Sequence, residues 1–134
     1  MIVADANMIA YLFLTTDKTS LAEQVWAKDS EWFVPFLWRS EVLNILTNYM
    51  RHNLLTLEQA QEIMERAHVF LSEHEYFVSS DQVLALTASS RCTAYDCEYV
   101  ALAQQYDLPL VTFDKEVIRN FPEIAKFPQD YLAI

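Results

Sequence analysis

The chain has 134 residues, 53% of them hydrophobic, with nine Lys or Arg against nineteen Asp or Glu, a net charge of −10 and no glycine at all. That length suits a single domain around one core, residues 1–134. The charge argues against unaided, non-specific binding to nucleic acid, which depends on neutralising phosphates, and the missing glycine rules out P-loop and G-x-G-x-x-G nucleotide sites.

Ile2 to Ala4 reads as a buried strand and residues 6–14 as a helix behind it. The longest apolar run, Met8 to Leu14, falls well short of the roughly 18 residues that a membrane span needs. Ser20-Leu21-Ala22-Glu23 has the pattern of a capping box, and Leu21, Ala22, Val25 and Trp26 continue a helical face. Trp32-Phe33-Val34 predicts a short strand ended by Pro35. From Ser40, the spacing of Val42, Leu43, Ile45, Leu46, Tyr49 and Met50 is that of an amphipathic helix.

Thr56-Leu57-Glu58-Gln59 is a second capping box. It opens a helix whose apolar stripe is Leu57, Ala60, Ile63, Met64, Ala67 and Leu71. Tyr76-Phe77-Val78 reads as a strand, Ser80 as the cap of a helix reaching about Arg91, and Thr93 as the cap of another over about residues 95–105. Pro109 to Thr112 predicts a strand, residues 115–119 a short helix, and Tyr131-Leu132-Ala133-Ile134 an added edge strand. With no glycine available, Asn and Asp are expected to take positive φ, at His52-Asn53 and Tyr106-Asp107. Strands alternating with helices imply an α/β fold, a parallel sheet of four to five strands with helices on both faces. There is no linker, internal repeat or low-complexity tract.

Cys92 and Cys97 fit no C-x-x-C pair and read as buried thiols of a reducing cytoplasm. No basic region precedes the first strand, so a secretory leader is not expected. His52, His68 and His74 lie far from any acid of interest and read as surface residues.

Four acids stand out by position. Asp5 and Asp114 each follow a strand, and Glu41 and Asp96 each open a helical pattern. Ligands of open α/β sheets bind beyond the carboxyl ends of the strands. Four carboxylates meeting there would repel each other unless cations neutralised them. That is the makeup of a Mg²⁺ or Mn²⁺ site, which commonly serves phosphate chemistry. Each acid alone has a plainer reading. Asp5 and Asp114 suit helix caps, Glu41 suits a first turn facing the helix dipole, and Asp96 completes a cap with Thr93.

The segments Ile2-Val3-Ala4-Asp5-Ala6-Asn7, Glu41-Val42-Leu43-Asn44-Ile45-Leu46, Ala94-Tyr95-Asp96-Cys97-Glu98-Tyr99-Val100-Ala101-Leu102-Ala103 and Leu108-Pro109-Leu110-Val111-Thr112-Phe113-Asp114 carry a family pattern in order and spacing. In these the chain resembles the PIN-domain ribonucleases, especially the VapC-type toxins of toxin–antitoxin pairs. The resemblance spans nearly the whole chain. It implies a three-layer sandwich and a Mg²⁺- or Mn²⁺-dependent endoribonuclease that cleaves RNA. Asp5, Glu41, Asp96 and Asp114 correspond to the family's catalytic and metal-binding acids, and Thr112 to its hydroxyl residue. Asp5 and Asp96 are expected as the most direct metal ligands. One position departs: where the family usually carries Ser or Thr, this chain has Asn7, a carboxamide that can still orient a water or a carboxylate.

The resemblance also implies a small antitoxin partner and a homodimer. Trp26, Trp32 and the apolar helical faces are candidates for the dimer interface. Arg39, Arg91, Lys115 and Arg119 lie near the acids in sequence and are candidates for gripping RNA phosphates, with surface ion pairs as the plainer reading. Trp38 and Tyr95 flank the acids and suit either base stacking or, more plainly, core packing.

Rival functions differ at single positions. A haloacid-dehalogenase-like phosphatase needs a second Asp where Asn7 stands, and a phosphoacceptor receiver domain needs an acidic pair after the first strand that this chain lacks. A PIN-like module that binds RNA or protein without cleavage, and a PIN nuclease of RNA maturation, remain the alternatives to a toxin.

Overall fold

The computed structural model describes residues 1–134. In chain order the elements are β1 (Ile2–Ala4), α1 (Ala6–Phe13), α2 (Thr19–Lys28), β2 (Trp32–Pro35), α3 (Trp38–Arg51), α4 (Leu57–Leu71) and β3 (Glu75–Tyr76). They continue with α5 (Ser80–Ala88), α6 (Ala94–Tyr106), β4 (Leu110–Val111), α7 (Lys115–Asn120), β5 (Ala125–Lys126) and α8 (Pro128–Leu132). The five strands form one parallel sheet in the order β3-β2-β1-β4-β5. The chain runs outward from β1 through β2 to β3, then returns to the other side of β1 for β4 and β5. The reversal places a topological switch point between β1 and β4, where open α/β sheets bind ligands.

Residues of β1, β2 and β4 are buried throughout, as strands covered on both faces must be. Alternation still sorts them into two layers. Ile2, Ala4, Trp32, Val34 and Val111 join one core with α1, α2, α3, α4 and α8. Val3, Phe33 and Leu110 join the other with α5, α6 and α7. The result is the expected three-layer sandwich.

The second capping box forms as read: Thr56 Oγ1 accepts from the Gln59 N–H at 3.1 Å, and Gln59 Oε1 accepts from the Thr56 N–H at 2.9 Å. Asn53 and Asp107 take positive φ, 58° and 54°. Asp107 ends α6 in the left-handed conformation, its N–H reaching the Ala103 and Gln104 carbonyls.

Other expectations are corrected. The first capping box does not form. Thr19 Oγ1 accepts from the Thr16 N–H at 2.9 Å and donates to the Leu14 carbonyl at 2.6 Å, and α2 starts at Thr19, two residues early, with Ser20 inside it. The third helix starts at Trp38 rather than Ser40. Ser79, not Ser80, caps α5, which stops at Ala88. β3 ends at Tyr76, opposite Pro35, and Phe77 is 83% exposed. Leu57 is exposed in the first turn of α4, outside the core that the rest of its stripe joins.

The tail is a helix, not a strand. Pro128, at the first helical position, pre-sets φ for it. Lys28 Nζ then donates to the Tyr131 carbonyl at 2.7 Å and holds α8 against α2. The edge strand is Ala125–Lys126 instead.

Trp32 is fully buried, so of the two interface candidates only Trp26 reaches the surface. His52 is exposed, whereas His68 and His74 are half-buried. His68 packs edge-on against Trp38 and His74 stacks on Phe33. Cys92 and Cys97 are free, buried thiols. No helix is long and apolar enough to cross a membrane.

Candidate active site

The capping and the functional readings of the acids turn out to be compatible. Asp5 leaves the sheet at the carboxyl end of β1 and caps α1, its Oδ1 accepting from the Met8 N–H at 3.0 Å. Ala4 pairs with Val111, so the next residues along, Asp5 and Thr112, leave adjacent strands side by side. Thr112 Oγ1 donates to Asp5 Oδ2 and accepts from the Asp114 N–H at 3.0 Å. Thr112 is the one fully buried polar residue of the protein, and this double bond satisfies its hydroxyl.

Asp114 caps α7 through Oδ1, which accepts from Glu116 and Val117 N–H at 2.9 and 3.3 Å. Asp96 sits on the first turn of α6, where its own N–H donates to Thr93 Oγ1 at 3.1 Å. Glu41 sits on the first turn of α3, and its Oε1 accepts from the Tyr99 hydroxyl at 2.6 Å.

The four acids share one electrostatic neighbourhood. Burial pushes the Asp5 carboxyl from 3.8 up to about 6, against the hydrogen bonds from Thr112 and Met8, and the charges of Glu41 and Asp114 add to the rise. Burial likewise raises Glu41, with the charge of Asp96 adding, and raises Asp96, with the charge of Asp114 adding. The repulsions therefore close a ring: Asp5 with Glu41, Glu41 with Asp96, Asp96 with Asp114, and Asp114 with Asp5.

The carboxyl groups are neighbours but not yet a cage. No three His, Cys, Asp or Glu side chains stand at a spacing that clasps an ion. Local donors engage them instead: both oxygens of Asp5, Oε1 of Glu41 and Oδ1 of Asp114. Glu41 Oε2 and Asp114 Oδ2 accept from none of these donors and are left to meet an ion. The residues nevertheless fit a hard divalent cation. Three acids are disfavoured as anions by burial and by each other, and a cation relieves both penalties. Oxygen donors suit Mg²⁺ or Mn²⁺. Burial and the Asp96 charge also push the Cys92 thiol up to about 11 and raise Cys97.

The basic candidates divide. Arg39 is committed to Glu75 on β3, Nε to Oε2 at 2.6 Å and Nη2 to Oε1 at 2.7 Å. Arg119 pairs with Glu116. Arg91 and Lys115 are exposed and take part in no ion pair. Trp38 is buried, with its indole N–H on Glu75, in agreement with the core reading. Tyr95 is 60% exposed, against that reading. Asn7 is exposed and lines, with Ser40, Glu41, Asn44 and Tyr95, a hollow of about 450 Å³ beside the acids.

Tyr99 is the residue that the sequence reading missed. It is 3% exposed and holds Glu41 from across the site. The available signal was its place three residues after Asp96, on the same helical face.

With this geometry in hand, three comparisons bear on kinship. The family model described as PIN domain matches residues 2–126. The chain is 30% identical over 127 residues to Ribonuclease VapC3 of Pyrobaculum aerophilum, covering 92% of this chain and 97% of that protein. Among solved structures, it resembles PAE2754 from Pyrobaculum aerophilum with a TM-score of 0.77 at 20% identity, over 98% of this chain and 86% of that one. It also resembles a chain of a toxin–antitoxin complex from Klebsiella pneumoniae with a TM-score of 0.70 at 16% identity, over 96% of this chain and 98% of that one.

Proposed function

The chain belongs to the PIN domain family, and on that premise we propose that it is a Mg²⁺- or Mn²⁺-dependent endoribonuclease, the toxin of a toxin–antitoxin pair. The observation that carries the reading is the acidic ring at the switch point, with Asp5 of β1 joined through Thr112 to Asp114 after β4. A relative named as a ribonuclease and a structural neighbour solved in a toxin–antitoxin complex support it.

In this reading Asp5 and Asp96 hold the ion most directly, and Glu41 and Asp114 complete its surroundings, partly through water. A bound Mg²⁺ or Mn²⁺ supplies an acidified water and neutralises charge on the scissile phosphodiester. The protein's own part is placement. Thr112 fixes the Asp5 carboxylate, Tyr99 fixes Glu41, and the α1 and α7 caps hold the backbone beneath them. Asn7, at the rim of the hollow, orients water or an acid through its carboxamide. Arg91 and Lys115 steer the strand against a net charge of −10.

A small antitoxin would enter the same crevice with an Arg against the carboxylates. A cytoplasmic homodimer completes the proposal, with the free thiols suited to a reducing compartment. Incubation with single-stranded RNA and Mn²⁺ tests the activity. Cleavage that chelator stops and Asp5→Ala abolishes, in a variant that still folds, is expected. RNA binding without cleavage would leave a binding module and overturn the nuclease.

A further inference from the structure

Beside the acidic ring lies a hollow of about 450 Å³, of which the catalytic reading uses only Asn7 and Glu41. Its floor is apolar, from Ala6, Leu37 and Ile45, and its rim carries Tyr95 and the carboxamides of Asn7 and Asn44. Tyr95 is 60% exposed, although its helix buries Tyr99, Val100 and Leu102. Tyr95 precedes Asp96 in the chain, and Asn44 lies one turn of α3 beyond Glu41, so the hollow is anchored to two of the four acids.

We propose that this hollow is a nucleobase subsite, in which one unstacked base of the RNA next to the cut lies against Tyr95 and is read by Asn7 and Asn44. This rests on the ribonuclease reading and specifies its substrate contact.

Three features favour a base over other ligands. The only charged lining residue is Glu41, an acid, so the hollow repels a phosphate and suits a neutral group. An exposed phenol ring offers a stacking face that any base can use. Carboxamides carry both donor and acceptor, the combination that matches the mixed edge of a base. Single-stranded RNA is usually recognised in this way, by splayed bases stacked on aromatic side chains. The volume falls within the range of small-ligand sites, about 300–1,000 Å³.

The test compares the parent with Tyr95→Ala, Tyr95→Phe and Asn44→Ala. Binding of a fluorescent single-stranded RNA is followed by anisotropy, with Ca²⁺ in place of Mg²⁺ to hold the strand uncut. Cleavage sites are mapped separately on a randomised RNA with Mn²⁺. Loss of the stacking face should weaken RNA binding about 5- to 100-fold in Tyr95→Ala. Tyr95→Phe should bind as the parent does, and Mn²⁺ affinity should stay unchanged in all three. Asn44→Ala should alter base preference at one position beside the cut.

A parent that binds RNA but does not cut it, with Tyr95→Ala still impaired, supports the subsite while the nuclease reading falls. Parent-like RNA binding by Tyr95→Ala, together with an unchanged cleavage pattern in Asn44→Ala, overturns the subsite while the nuclease stands.

Discussion

Asp5→Asn should destroy the catalytic centre and yet stabilise the metal-free protein. The Asp5 carboxyl is raised from 3.8 to about 6, so the folded state holds its proton more tightly than the unfolded chain does. The fold is therefore penalised as the group ionises. The penalty is absent below about pH 4, grows between about pH 4 and 6, and is complete above that range. At about 1.36 kcal/mol per pH unit it amounts to about 3 kcal/mol. Asparagine removes the charge, and its carbonyl can still accept from the Met8 N–H. The bond from Thr112 is already contained in that net shift. The expectation is a gain of up to about 3 kcal/mol at pH 7.5 that falls away by about pH 4. Urea unfolding of both proteins in chelator, at each pH, reads this directly. Mn²⁺ should then stabilise the parent and leave the variant unmoved. A variant less stable than the parent at pH 7.5, or one whose gain persists undiminished at pH 4, would refute the reasoning.

Four further substitutions probe the surroundings. Tyr99→Phe keeps the buried ring and deletes the hydroxyl that positions Glu41. A hydrogen bond to a charged group contributes about 1.5–3 kcal/mol, so Mn²⁺ affinity measured by calorimetry should fall about tenfold or more while the thermal midpoint moves little. Unchanged affinity would show that Glu41 needs no support. Among the cations, Arg91→Ala and Lys115→Ala should raise KM for single-stranded RNA, whereas Arg39→Ala should not, because Glu75 already engages Arg39. Equal effects from all three would mean that the ion pair opens in the complex.

What could be read from the sequence was local. Thr56 and Gln59 reach each other over three residues, and Asn53 and Asp107 announce left-handed turns in a chain without glycine. The acids could be placed because each follows a strand or opens a helix within a few positions. What failed depends on distant partners. Tyr99 meets Glu41 across 58 positions, and Arg39 meets Glu75 across 36. β3 is placed by its pairing with Val34 and Pro35 of the neighbouring strand. Nothing in the local pattern separates the buried Trp32 from the exposed Trp26, because only assembly of the sheet decides it. The tail misled because Tyr131-Leu132-Ala133-Ile134 is short and apolar, a pattern that serves strand and helix alike. Pro128 carried the better signal.

The central claim is that four separated acids make one divalent-ion site on the placement that Thr112, Tyr99 and the α7 cap give them. A crystal soaked in Mn²⁺, with the ion located by anomalous scattering, tests it most directly. The account predicts manganese bound by the carboxylates of Asp5 and Asp96 at about 2.0–2.2 Å, with Glu41 and Asp114 contacting it or its waters. Manganese absent from the crevice at saturating concentration, or held elsewhere on the protein, would contradict it.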